Sequence, residues 1–273
     1  MRCRKREPRG KGRRRIHAVA TLIVSLATWM CMCSLVCTSG DVRTARRTRP
    51  DRNPSASSQA TIDWHALRRE NPDTAAWLSV SGTSIDLPVT NAPGGDTSFY
   101  LDHGFDGTSS PLGCPFLDPS TDADGTYALV YGHRAGGDLV FSDLQRAYEQ
   151  ETFDGLGECL WSTPAGGTIT LEKLCSARVS KNDSLVQTFA WSSREGYVLW
   201  LANVVRQSSA RAERADALVA CSKRIVGLVT CSSDRPGQPF RTVTFFSSDR
   251  PKDEKQALYD GGSERREGPE TDS

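Results

Sequence analysis

Eight short runs rich in β-branched, aromatic and aliphatic side chains mark the chain at Ala76–Val80, Ser84–Val89, Gly113–Leu117, Thr126–Tyr131, Glu158–Ser162, Thr168–Val179, Arg224–Cys231 and Phe240–Phe246. Gly, Pro, Asp and Ser stand between them. Runs this short, separated by turn formers and rarely by helical patterns, do not fit alternating βαβ units; they predict a mainly β domain closed, or nearly closed, into a barrel. Helical spacing appears in three places. Ile62–Arg69 is a short pattern with Asp63 as its predicted N-cap, ending near Asn71-Pro72. Asp138–Tyr148 predicts a second short helix. Ser192–Ser209 predicts a longer one, with Tyr197, Trp200, Leu201, Val204 and Val205 on a single apolar face. That face must dock, either as plain packing on the barrel or as the wall of a substrate groove.

The ends of the chain read differently. Basic residues crowd positions 1–15, and residues 16–37 then run IHAVATLIVSLATWMCMCSLVC without Asp, Glu, Lys or Arg. At 1.5 Å per residue such a stretch spans a hydrocarbon core of about 30 Å. The basic block predicts a cytoplasmic N-terminus under the positive-inside bias, with everything after Thr38 on the outer side. A cleaved signal peptide competes with this reading, but the apolar run exceeds the roughly 7–15 residues of an ordinary h-region and no clear A-x-A site follows. Residues 38–60 are rich in Arg, Ser, Pro and Thr and predict a flexible linker, while 248–273 predict a disordered charged tail. A single folded domain is left at 61–247. The net charge of +1 says little about nucleic acid, but the abutment of the basic block to the apolar run makes membrane orientation a simpler account than a nucleic-acid patch.

Of nine cysteines, Cys114, Cys159, Cys175, Cys221 and Cys231 follow the apolar run. An odd number leaves at least one thiol unpaired within the chain. Cys159 and Cys175 flank a turn at Ala165-Gly166-Gly167 in a way compatible with facing each other across a hairpin, but buried free thiols are the simpler expectation for these two and for Cys114 and Cys221. No C-x-x-C pair or repeated spacing after residue 38 predicts a metal site.

Cys231 differs from the others because it ends an apolar strand pattern and precedes a polar loop, Ser232 to Gly237. A thiol there suits acyl transfer: as thiolate it is nucleophilic, and it leaves well from a thioester. His133 likewise ends a strand pattern, directly after Gly132, and an imidazole takes or returns a proton near neutral pH. Arg241 begins the next strand, ten positions beyond Cys231, where a hairpin would bring a guanidinium to a developing oxyanion.

Tyr-Gly-His at 131–133, Leu-Val-Thr-Cys at 228–231 and Arg241 together resemble the sortase signature. Asn71–Leu78, Gly82–Val89, Tyr100–His103, Phe116–Asp118 and Phe141–Leu144 resemble class B members in particular, in the family's order. The resemblance covers about residues 62 to 247. It implies an eight-stranded sortase barrel with an N-terminal helical extension and a long helix before the cysteine-bearing strand. It also implies a cysteine transpeptidase: Cys231 attacks the Thr carbonyl of an LPxTG- or NPxTx-like sorting signal on a surface protein, and an amine of a peptidoglycan precursor or pilin resolves the thioacyl intermediate. His133 and Arg241 serve that chemistry, which requires no metal or organic cofactor. Thr230, Ser232, Ser233 and Thr97 are candidate substrate contacts. Val229, Arg134 and Thr97 depart from residues frequent in the family, which leaves the peptide preference open. Two other functions compete: a thiol hydrolase using the same pair, and a surface binding module in which the cysteine is incidental.

Overall fold

The computed structural model describes residues 62–91, 93–96, 98–135, 137, 139–231 and 239–249. The predicted cytoplasmic tail, membrane anchor and linker, Thr97, Ser232, Ser233 and all but the start of the charged C-terminal tail lie outside the described residues. Among the described residues, no helix is long and apolar enough to cross a membrane.

The first element, α1 (Trp64–Glu70), begins where the Asp63 carboxylate accepts the Ala66 N–H at 2.9 Å. It stops at Asn71, whose successor Pro72 disfavours helical geometry in the residue before it. The strands are β1 (Thr74–Val80), β2 (Asp86–Thr90), β3 (Phe116–Leu117), β4 (Tyr127–Tyr131), β5 (Cys159–Thr163), β6 (Gly167–Ser180), β7 (Ala210–Arg211), β8 (Arg224–Cys231) and β9 (Phe240–Ser248). Their order is β5-β1-β2-β3-β4-β8-β9-β6-β7, and a further β5–β6 pairing closes eight of them into a ring. The expected closed eight-stranded barrel is thus present, with the two-residue β7 appended to β6. Two of its pairings are parallel, β2–β3 and β4–β8, so the barrel is mixed.

Period-two alternation along the strands divides the core in two. Ala128, Val130, Val226, Leu228 and Phe246 point inward to a cluster with Leu78, Phe141, Phe153 and Trp161. Tyr127, Leu129, Ile225, Val229, Val243 and Phe245 point outward and share one apolar cluster with residues of α3 (Arg194–Gln207) and α4 (Ala215–Cys221). The predicted face of Tyr197, Trp200, Leu201, Val204 and Val205 is the buried face of α3, which Ser193 caps by accepting the Gly196 N–H.

Two expectations are corrected here. The helix predicted at Asp138–Tyr148 is a single tight turn at Ser142–Leu144, and the helix of this region, α2 (Gln150–Asp154), starts later. Cys159 pairs with Leu171 across the β5–β6 hairpin, and Cys175 lies opposite Phe245. A disulfide across the hairpin is therefore out of register, and all five described cysteines are free. Cys114, Cys159 and Cys175 are buried as expected, whereas Cys221, at the end of α4, is exposed.

Candidate active site

Three neighbouring strands end together. β8 and β9 pair antiparallel with Cys231 directly opposite Arg241, a separation at which side chains on one face touch. β4 runs parallel to β8 with Tyr131 opposite Val229, and the Gly132 N–H continues the ladder by donating to the Val229 carbonyl at 3.0 Å. His133 follows two residues beyond Tyr131, past the last β4–β8 pair and at the end of the sheet where Cys231 closes β8. Parity then fixes the face. Cys231 alternates with Val229 and Arg241 with Val243, both on the outer side of the sheet.

The imidazole is held by backbone. His133 Nε2 lies 2.6 Å from the Leu101 carbonyl oxygen, which can only accept, so this nitrogen carries a proton and Nδ1 is left as the ring's acceptor in the neutral form. Leu101 closes a tight turn, Phe99–Leu101, fixed from below by a buried network. Asn71 Nδ2 donates to the Tyr100 hydroxyl at 2.7 Å and to the Phe105 carbonyl at 2.6 Å, and the Tyr100 hydroxyl donates to Asp73 at 3.0 Å. Gly113 passes beneath the ring with φ of +62°, and a Cβ there would stand 2.3 Å from the Tyr100 oxygen and 3.0 Å from His133 Cδ2. Gly132 is needed for a different reason than a free turn: the Phe141 ring packs where its Cβ would be, at 2.4 Å.

Arg241 Nη1 donates to the Phe240 carbonyl at 3.0 Å, and its side chain reaches a groove of about 750 Å³ on the same outer face. Leu101, Phe116, Tyr131, Val179, Val229 and Val243 give the groove an apolar floor. Its far wall is the segment 181–189, not α3 as one sequence reading had it. That segment is pinned where Trp200 Nε1 donates to the Leu185 carbonyl at 2.8 Å and the Tyr127 hydroxyl donates to the Val186 carbonyl at 3.0 Å. Burial first, then the neighbouring Asp118 carboxylate, pushes the Tyr131 phenol above its ordinary range, so it stays a donor to Asp118 at 2.9 Å.

Of the predicted substrate contacts, Thr230 is turned away. It is only 2% exposed, alternates with Cys231 and faces the barrel interior, where its Oγ1 has no hydrogen-bond partner among the described residues. Sequence reasoning missed the Leu101 carbonyl, Gly113 and the 181–189 wall. Tyr100–His103 and Phe116–Asp118 carried a signal, as parts of the family resemblance.

No protein-family model matches the chain. In sequence it is similar to sortase B of Staphylococcus aureus (strain NCTC 8325 / PS 47), 24% identical over 170 residues that span 62% of this chain and 67% of that one. In fold it is similar to a mutant form of Clostridium perfringens sortase B, with a TM-score of 0.65, 25% identity, and coverage of 77% of this chain and 97% of that one. The Staphylococcus aureus sortase B–substrate complex also matches, with a TM-score of 0.58, 21% identity, and coverage of 67% and 83%; at that identity the likeness speaks to the fold alone.

Proposed function

Because the chain is sortase class B-like in both sequence and fold, we propose that it is a membrane-tethered cysteine transpeptidase acting outside the cytoplasm, with Cys231 as nucleophile. The observation that carries this reading is the pairing of Cys231 with Arg241 at one end of β8 and β9, with His133 two residues past the end of neighbouring β4. The residues 16–37 serve as the anchor, and the domain beyond them faces the cell wall.

In the reaction, the Cys231 thiolate attacks the Thr carbonyl carbon of an LPxTG- or NPxTx-like signal, forming a C–S bond while the carbonyl oxygen becomes negative. Arg241 donates to that oxygen, a contact whose removal in comparable sites costs about 3–4 kcal/mol of transition-state stabilisation. The C–N bond then breaks, and protonated His133 gives its proton to the leaving amine. A second amine, from a peptidoglycan precursor or a pilin, attacks the thioester, loses a proton to neutral His133, and expels the thiolate. The backbone clamp on Nε2 leaves Nδ1 as the nitrogen that exchanges this proton.

The test is incubation of the full chain in detergent micelles with sorting pentapeptides and triglycine, followed by mass spectrometry. An acyl adduct on Cys231 and an amide-linked product are expected, both absent in Cys231→Ala. Cleaved acid alone, with triglycine never incorporated, would mark a hydrolase, and unchanged behaviour of Cys231→Ala would mark a binding module.

A further inference from the structure

The loop that follows His133 contains a backbone that its side chain does not favour. Val140 has φ of +52°, and among the described residues it is the one position other than glycine with a left-handed backbone. A β-branched side chain there is a genuine outlier, because its Cβ crowds the following carbonyl oxygen. The same loop meets this geometry without strain at Gly137, with φ of +55°. What valine supplies and glycine lacks is an anchor. Val140 is only 5% exposed and belongs to the cluster inside the barrel, together with Val130, Phe141 and Leu144. An unfavourable backbone persists only where its surroundings over-determine it, and such residues gather at functional sites.

What this backbone sets in place is the residue after it. Arg134 and Val140 bridge antiparallel across the loop, and the Phe141 N–H donates to the His133 carbonyl at 3.0 Å. The Phe141 ring packs over Gly132, 2.4 Å from where a Cβ would stand. Further bonds close the loop: the Ala135 N–H donates to Ser142 Oγ at 3.1 Å, and Ser142 Oγ donates to the Leu139 carbonyl at 2.6 Å. We infer that Val140 is a positioning residue for His133: its buried side chain holds a left-handed backbone, which aims Phe141 at the main chain of residues 132 and 133 and so keeps the imidazole on the Leu101 carbonyl. His133 is then gripped at two points, its carbonyl by Phe141 and its Nε2 by the Leu101 oxygen at 2.6 Å. Loss of the first grip lets the ring leave the second. This inference rests on His133 being the proton carrier of the proposed transpeptidase.

Val140→Gly separates anchoring from strain, because glycine accepts the left-handed backbone and brings no side chain to bury. Two readouts are taken on the full chain in detergent micelles, below the melting transition of each variant. One is transpeptidation kinetics; the other is proton–nitrogen NMR of isotope-labelled histidine, with His133 assigned by its absence in His133→Ala. In Val140→Gly, kcat is expected to fall by roughly 10- to 100-fold, the scale of a misplaced reacting group, with KM changed by less than about threefold. The His133 ring is expected to pass from a single Nε2–H tautomer to a mixture of both, which a loss of packing alone would not produce. Val140→Ala covers the case in which the glycine variant does not fold, with smaller changes in the same direction. Val80→Ala is the control: Val80 is 2% exposed in the same cluster but pairs with Cys159 on β5, away from His133, so it should melt lower and leave kcat and the tautomer unchanged. If the Val140 variants keep kcat within twofold, or lose it while the Nε2–H tautomer stays single, or if Val80→Ala shows the same changes, the inference is overturned and the transpeptidase reading stands. Absence of turnover in the unaltered chain removes that reading, and the tautomer alone then decides whether Val140 positions the ring.

Discussion

Replacing Gly113 by Ala tests whether backbone geometry around the imidazole governs the chemistry. The residue sits at φ of +62°, a region that costs an L side chain roughly 1–2 kcal/mol. The new methyl would lie 2.3 Å from the Tyr100 oxygen and 3.1 Å from the Leu101 oxygen, against the roughly 3.3 Å of a close carbon–oxygen contact. Both neighbours are backbone, so the 99–101 turn must retreat by up to about 1 Å, an overpacking cost of about 1–3 kcal/mol. The total, about 2–5 kcal/mol, corresponds to a Tm loss of roughly 4–20 °C for a domain of this size. Retreat of the Leu101 carbonyl also releases His133 Nε2, and a misplacement of about 1 Å at a reacting group costs on the order of 100-fold in rate. Steady-state transpeptidation at 20 °C, well below the melting transition, should therefore show kcat down by about 100-fold with KM changed by less than about threefold. Gly107→Ala supplies the control, because Gly107 has φ of +74° but nothing within 4 Å of its added Cβ. It should lower Tm and leave kcat unchanged. If Gly113→Ala melts as expected but keeps kcat within twofold, the carbonyl does not position the imidazole and the clamp is only structural.

Three further outcomes follow from burial. Thr230→Val should keep KM and raise stability by up to about 1 kcal/mol in denaturant unfolding, since it removes a buried hydroxyl without a partner; a several-fold rise in KM would return Thr230 to the substrate site. Iodoacetamide labelling of the native chain, mapped by mass spectrometry, should modify Cys231 and Cys221 among the described thiols and spare Cys114, Cys159 and Cys175, which become reactive only on unfolding. Burial pushes the thiols of Cys114 and Cys175 up to about 12 from an ordinary 9.0. Between those values the folded state keeps protons that the unfolded chain has released, so stability that is complete below pH 9 should decline as pH rises from 9 toward 12. Thermal melts across that window check the sign, and a Tm that rises there would contradict it.

The strand pattern was legible because alternation and turn chemistry are local. β8 falls at the predicted residues, and most other strands agree to within one or two. Cys231, His133 and Arg241 were legible as strand-end residues, and pairing brings those strand ends together. Less local features escaped. Gly113 is one glycine among many until Tyr100 and His133 are folded around it, and a carbonyl such as that of Leu101 has no sequence signature. The helix expected over Asp138–Tyr148 failed because the backbone at Val140 is left-handed, with φ of +52°, so helical geometry begins only after it, in the single turn Ser142–Leu144. Cys159 and Cys175 looked nearly symmetrical about Ala165-Gly166-Gly167, but the hairpin closes at Thr163 opposite Gly167, which sets Leu171 and not Cys175 across from Cys159.

The parallel pairing of β4 with β8 has a consequence for how the chain matures. These strands are far apart in the chain, with β5, β6 and the two covering helices between them in sequence. Closing so long a loop is entropically late, and contacts of this kind form only once much of the ring exists. In the proposed transpeptidase, Cys231 and His133 therefore come to the same end of the sheet only when the ring closes, and a copy halted before that point carries an ordinary cysteine.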